Sequence, residues 1–152
     1  MTLSRRSLLL APAALAPLPA LLSVPALAQG SVAVNTDPRL GERAVGQAAA
    51  KAQVQEYFSL TCPHCAAFHK DVWPQVKDKL VAAGNVRMIW REFPLDQLAL
   101  AASQVARSLP AERYEGFISA LLASQDRWAF ARGADNIGEI AKIAALAGLT
   151  RA

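Results

Sequence analysis

The sequence predicts an α/β fold in which one strand-helix-strand unit is followed by a block of helices. Three observations carry this. Residues 51–60, KAQVQEYFSL, alternate with the period of two that a strand requires. Phe68, Val72, Val76 and Leu80 then recur at steps of four, the spacing of an amphipathic helix over about 65–81. VRMIWREF, residues 86–93, is a second strand, and every later apolar stripe has helical spacing. At 152 residues, 53% of them hydrophobic, the chain has a one-domain length and can bury a core.

The first 28 residues are an address rather than part of the fold. A positive start, an apolar middle and the small residues of Ala26-Leu27-Ala28 predict a signal peptide cut after Ala28. Pro12, Pro17, Pro19 and Pro25 interrupt the apolar run, which argues against a stable membrane anchor. Ser4-Arg5-Arg6-Ser7-Leu8-Leu9 also resembles a twin-arginine export signal, although paired arginines occur in ordinary signals too. No cysteine precedes residue 62, so lipid attachment to a cysteine near the cut is excluded. Export places the chain in the periplasm.

The formal charge is +4; removing Arg5 and Arg6 with the signal leaves 14 basic against 12 acidic residues, or +2. The remaining Lys and Arg are scattered, with no basic run and no aromatic interleaving, so nucleic acid is not an expected partner.

Residues 29–50 mix Gly, Pro, Asp and Asn with few large apolar groups and are expected to form a loosely ordered lead-in. In the first strand, Ala52, Val54, Glu56, Phe58 and Leu60 share one face, so a single carboxylate, Glu56, sits on the apolar side. Pro63 suits the first helical position, where its missing N–H is no loss, and this makes Cys62 the N-cap. Pro74 predicts a kink in that helix. Gly84-Asn85 turns the chain into the second strand, which stops before Pro94.

Asp96 is placed to cap a helix over about 97–108. Pro110 opens the next, with Tyr114, Phe117, Ile118, Leu121 and Leu122 as a core stripe. Asn136 and Glu139 look like a capping box for a last helix that ends near Gly148. The strand-helix-strand order implies parallel strands joined by a right-handed crossover. Two strands alone make a small sheet.

The chemistry concentrates in SLTCPHCAAFH, residues 59–69. The chain's two cysteines, Cys62 and Cys65, stand three positions apart where strand turns into helix. At the N-cap, the Cys62 sulfur lies near N–H groups of His64 and Cys65 that have no partner within the helix, and the helix end stabilises an anion by up to about 2 kcal/mol. A protonated His64 adds a second favourable charge. Such a cysteine ionises below its ordinary value of about 8.5. Stabilising the reduced thiolate makes the disulfide a stronger oxidant.

Cys65, one turn into the helix, is expected to be buried and placed to close or resolve a disulfide with Cys62. Glu56, six residues before Cys62 on the inward face, is expected to lie beneath the pair and relay the Cys65 proton; pairing with Lys51 or water is the alternative. Zinc or copper held by Cys62, Cys65, His64 and His69 is the rival reading. It fits poorly, because a Cys-x-x-Cys pair usually needs a second distant pair, and His64 and His69, five apart, fall on different sides of the helix. His69 is then an ordinary packed or exposed helix residue.

VQEYFSLTCPHC, followed by an aromatic-bearing helix, and REFPLD, followed by helices, resemble the DsbA-like disulfide oxidoreductases of the thioredoxin superfamily over about residues 52–150. The resemblance implies a thioredoxin-like fold with a helical insertion at about 96–150. It also implies that Cys62 is the attacked cysteine, Cys65 its resolving partner, His64 and Pro63 the tuners of Cys62, and Glu56 the buried carboxylate. No cofactor or metal is implied. The implied partners are reduced substrate proteins and a quinone-linked membrane protein of the DsbB kind. In the family two further strands, a cis-proline loop and a closing helix follow the insertion. Here the last proline is Pro110, so the expectation is a partial domain over 51–152 that lacks those elements.

Overall fold

The computed structural model describes residues 36–149. The predicted signal peptide, residues 29–35 of the lead-in and residues 150–152 lie outside them. No helix of the described residues is long and apolar enough to cross a membrane.

Among the described residues the sheet has three strands in the order β1-β3-β2. Strands β2 (Ala52–Phe58) and β3 (Val86–Glu92) are parallel, in a register that sets Glu56 opposite Trp90 and Phe58 opposite Glu92. This agrees with the strand-helix-strand expectation. Strand β1 (Arg43–Val45) corrects the lead-in: three residues of that segment pair antiparallel with β3, Arg43 opposite Trp90. A three-residue strand is too short to show alternation, which is why the composition of this segment hid it. A 3-10 turn, Pro38–Leu40, precedes it, capped by the Asp37 carboxylate.

The connection between β2 and β3 is helical from Pro63 to Val81, but not one regular helix. An α segment, α1 (Pro63–Ala67), passes into a π turn (Phe68–Val72), then α2 (Trp73–Val76), then a second π turn (Lys77–Val81). The first π turn closes with the Trp73 N–H donating to the Phe68 carbonyl, five residues back. Pro74, which has no N–H, follows immediately, so the irregularity expected at the proline takes the form of wider turns around it. Each wide turn rotates the helix face. The buried residues are therefore His69, Trp73 and Val81, one position later than the predicted Phe68, Val72 and Leu80, and Val72 and Leu80 are exposed.

The first strand's apolar face is corrected in a similar way. Phe58 and Leu60 are buried, but Ala52 and Val54 are exposed, because β2 is at the edge of the described sheet and the helices cover only its C-terminal end. The burial gradient points the core toward the cysteine loop.

The helical block is α3 (Gln97–Ser108), α4 (Ala111–Ala123), the short α5 (Gln125–Trp128) and α6 (Asn136–Leu146). Asp96 caps α3 as expected, its carboxylate accepting the Ala99 N–H at 2.7 Å. All five residues of the α4 stripe are buried. They join Trp73, Met88, Trp90, Trp128 and Ile140 in the core. The α6 cap moves by one residue: Asp135, not Asn136, accepts the Gly138 N–H. Asn136 instead donates its side-chain amide to the Trp128 carbonyl at 2.5 Å.

A buried polar ring ties this block to the sheet. The Glu92 carboxylate, at the end of β3, accepts the Tyr114 hydroxyl at 2.5 Å and the guanidinium of Arg107 through both of its oxygens. Arg43 and Arg107 each lie 5.6 Å from the Tyr114 ring centre, so the phenol is flanked by two cations. Arg43 also donates to the Pro38, Arg107 and Leu109 carbonyls, which explains why a charged residue is buried in β1.

Candidate active site

The cysteine loop forms where β2 ends. Cys62 has extended backbone angles, φ −84° and ψ 119°, and is the N-cap of α1, with Pro63 as the first helical residue. Both expectations for this turn hold. Two other parts of the chain, Leu95-Asp96 and Gln125, fix it. The Thr61 hydroxyl donates to Asp96, the α3 cap, at 2.6 Å. The Ser59 hydroxyl lies 3.2 Å from that of Thr61 and accepts the Leu95 N–H at 3.4 Å. From α5, the buried Gln125 amide donates to the Leu60 carbonyl at 2.7 Å and to the Cys62 carbonyl at 3.1 Å. Gln125 is a positioning group that local sequence pattern cannot reveal, because it stands more than sixty residues from the turn it holds.

Cys62 and Cys65 are both free thiols and both partly buried. Cys65 is thus less enclosed than expected. Their ionisation is driven apart. Partial burial works against the Cys62 thiolate, but the Cys65 N–H, the Cys65 thiol and the His64 N–H outweigh it and hold Cys62 below the ordinary thiol range. Cys65 is pushed up to about 11 by burial, and further by the neighbouring sulfur and by the charge of Glu56, against a lowering contribution from the backbone at Ser59. His64 is exposed on the first turn, and its backbone N–H is what it contributes to Cys62 here.

Glu56 lies on the side of β2 that faces the helix, largely buried, and its charge reaches Cys65. It meets His69 rather than Lys51: His69 Nε2 is 3.2 Å from Glu56 Oε2. His69 is likewise more than a packing residue: its side chain is 2% exposed and enclosed by Phe58, Phe68 and Trp73. The π turn brings it inward. Among the described residues, no group of three or more His, Cys, Asp or Glu is placed to hold a metal ion.

A parallel β-helix-β unit whose second strand also pairs antiparallel with β1, a Cys-Pro-His-Cys turn at the helix start and helices packed behind it define a thiol-disulfide site of the thioredoxin class. A family model described as Thioredoxin matches residues 39–152, and the chain belongs to that family. Its relatives place it among the DsbA-like members, and the helices from α3 onward are their helical insertion. The crystal structure of Wolbachia pipientis alpha-DsbA1 superposes with a TM-score of 0.67 at 34% identity, covering 74% of this chain and 56% of that one. A Rickettsia felis protein named "Putative protein-disulfide oxidoreductase" is 36% identical over 78 residues, 51% of this chain and 28% of its own length. A Rickettsia bellii protein of the same name is 35% identical over 85 residues, 55% of this chain and 33% of its own. The chain thus matches about a third or less of these curated relatives, and just over half of the solved structure.

Proposed function

We propose that the chain is an exported thiol:disulfide oxidoreductase that donates a disulfide to substrate proteins. The observation that carries this reading is the opposed ionisation of two cysteines three residues apart: Cys62 is held below the ordinary thiol range and Cys65 is pushed above it. The lower-ionising sulfur is the better leaving group, which favours release of the oxidised substrate from a mixed disulfide on Cys62.

With the pair oxidised, a substrate thiolate bonds to Cys62 Sγ. The Cys62–Cys65 bond breaks, and its electron pair goes to Cys65 Sγ, which takes up a proton. The second substrate thiol then loses its proton and attacks the substrate sulfur of the mixed disulfide, releasing Cys62 as thiolate. Two substrate thiols have become one disulfide, and the chain has gained two electrons. No cofactor takes part. Reoxidation requires an electron acceptor, for which a quinone-linked membrane partner of the DsbB kind is the proposal that accompanies this reading. The apolar, alanine-bounded first 28 residues support export to the periplasm.

The test is oxidation of a reduced, unfolded protein by the oxidised chain, with the potential measured against glutathione. The expected potential is more oxidising than roughly −180 mV. Cys65→Ser is expected to accumulate a mixed disulfide through Cys62, and Cys62→Ser to form none. A potential near roughly −270 mV would assign the pair to reduction instead. Failure of the intact pair to exchange with any thiol would leave a non-catalytic module.

A further inference from the structure

The disulfide chemistry above leaves one buried side chain unused. His69 donates or accepts through Nε2 at 3.2 Å from Glu56 Oε2, while its Nδ1 is buried with no hydrogen-bond partner. Phe58, Phe68 and Trp73 enclose the ring, with centroids at 6.1, 5.8 and 6.4 Å. A neutral imidazole has one N–H and one lone pair. If the N–H were on Nδ1, a donor would be stranded among aromatic rings. With the N–H on Nε2, the donor meets a carboxylate in a charge-assisted bond.

We propose that His69 is a positioning residue whose Nε2–H holds the Glu56 carboxylate where its charge reaches Cys65, leaving Glu56 Oε1 to pass a proton between water and Cys65 during disulfide transfer. This rests on the thiol-disulfide reading of the site. When a substrate thiolate bonds to Cys62 Sγ, the pair's S–S bond breaks toward Cys65 Sγ, and Cys65 takes up a proton that Glu56 relays from water, Glu56 ending the step as it began. On reoxidation, with Cys62 in a mixed disulfide with the oxidising partner, Cys65 gives its proton through Glu56 to water and attacks Cys62 Sγ, and the partner's thiolate leaves. His69 keeps its N–H throughout.

Among the described residues, the charge of Glu56 on β2 and the sulfur of Cys62 both act on Cys65 at the start of α1. From α4 comes Glu115, which accepts the Trp73 indole N–H at 2.9 Å and pairs with Lys77 at 2.7 Å. From β3, the residue opposite Glu56 is the uncharged Trp90.

The test reads Cys65 alone, as the pH dependence of its alkylation in the full chain carrying Cys62→Ala. Removing the His69 donor frees the Glu56 side chain to turn away, which withdraws its negative charge from Cys65. His69→Phe, which keeps the aromatic enclosure filled, is therefore expected to move the Cys65 midpoint down by about one pH unit. Glu56→Gln is expected to do the same, the double variant to add nothing further, and His69→Gln, which retains a donor, to stay near the parent.

An unmoved midpoint in folded His69→Phe overturns the proposal, as does a shift that persists in full in the Glu56→Gln background. Should His69→Phe fail to fold, imidazole nitrogen NMR of the unmodified chain decides: the Nε2–H form supports the proposal and the Nδ1–H form refutes it. Exchange with a reduced test protein is measured alongside, so loss of the thiol-disulfide reading is distinguishable from loss of this one.

Discussion

Replacing Gln125 with leucine isolates what the helical block contributes to the cysteine turn. Leucine has a similar volume, so the change removes donors without opening a cavity. Two hydrogen bonds disappear, at 2.7 Å to the Leu60 carbonyl and 3.1 Å to the Cys62 carbonyl, both from a side chain that is 6% exposed. At about 0.5–1.5 kcal/mol net for each, the expected loss is about 1–3 kcal/mol. For a domain of this size a loss of about 2 kcal/mol lowers the melting midpoint by roughly 8 °C.

The Cys62 carbonyl also accepts the Ala66 N–H at 3.1 Å, so the helix start survives but its first turn loosens. The N–H groups that stabilise the Cys62 thiolate then point less consistently at sulfur, and the Cys62 midpoint should rise toward the ordinary thiol value. Urea melts of the reduced chain, with thiolate absorbance followed against pH, measure both effects. A stability loss under about 0.5 kcal/mol with an unchanged Cys62 titration would refute the clamp.

Two further outcomes are expected. Tyr114→Phe deletes a buried hydroxyl that donates at 2.5 Å to the Glu92 carboxylate, a charge-assisted bond, so it should cost about 1.5–3 kcal/mol in a urea melt while leaving thiol exchange active. For the reduced chain, the lowered Cys62 value means that the unfolded state binds more protons between that value and the unfolded thiol's 9.0. Stability of the reduced form should therefore rise with pH through that window and be lost as pH falls through the folded Cys62 value. Above 9.0 the sign reverses, because Cys65 keeps its proton to about 11 in the folded chain. Melts of a Cys62→Ala, Cys65→Ala chain should show neither trend.

Some of this architecture is written in short stretches. Cys62 at the N-cap with Pro63 behind it, the Asp96 cap of α3 and the α4 stripe each depend on residues within one or two turns, and each is found where the pattern placed it. The departures have separate origins. The π turns displaced the buried face of the cysteine helix by a residue, so that His69 rather than Phe68 points inward. Strand β1 was invisible because three residues carry no period, and nothing local marks Arg43 among the scattered charges as the one that Tyr114 and the carbonyls of Pro38, Arg107 and Leu109 surround.

By itself the sequence determined the strand-helix-strand order and the helices after it, the Cys-Pro-His-Cys turn at the helix start and the presence of a carboxylate on the inner face of the strand before it, because hydrophobic period, proline geometry and helix capping act over a few residues. Only the tertiary structure decided which groups stabilise that tetrapeptide: Gln125 on its carbonyls, Asp96 on Thr61, and His69 on Glu56. Those bonds join residues 13 to 65 positions apart along the chain. A hydrogen bond requires contact in space, and which distant side chain supplies it is settled only when the helices pack against the sheet.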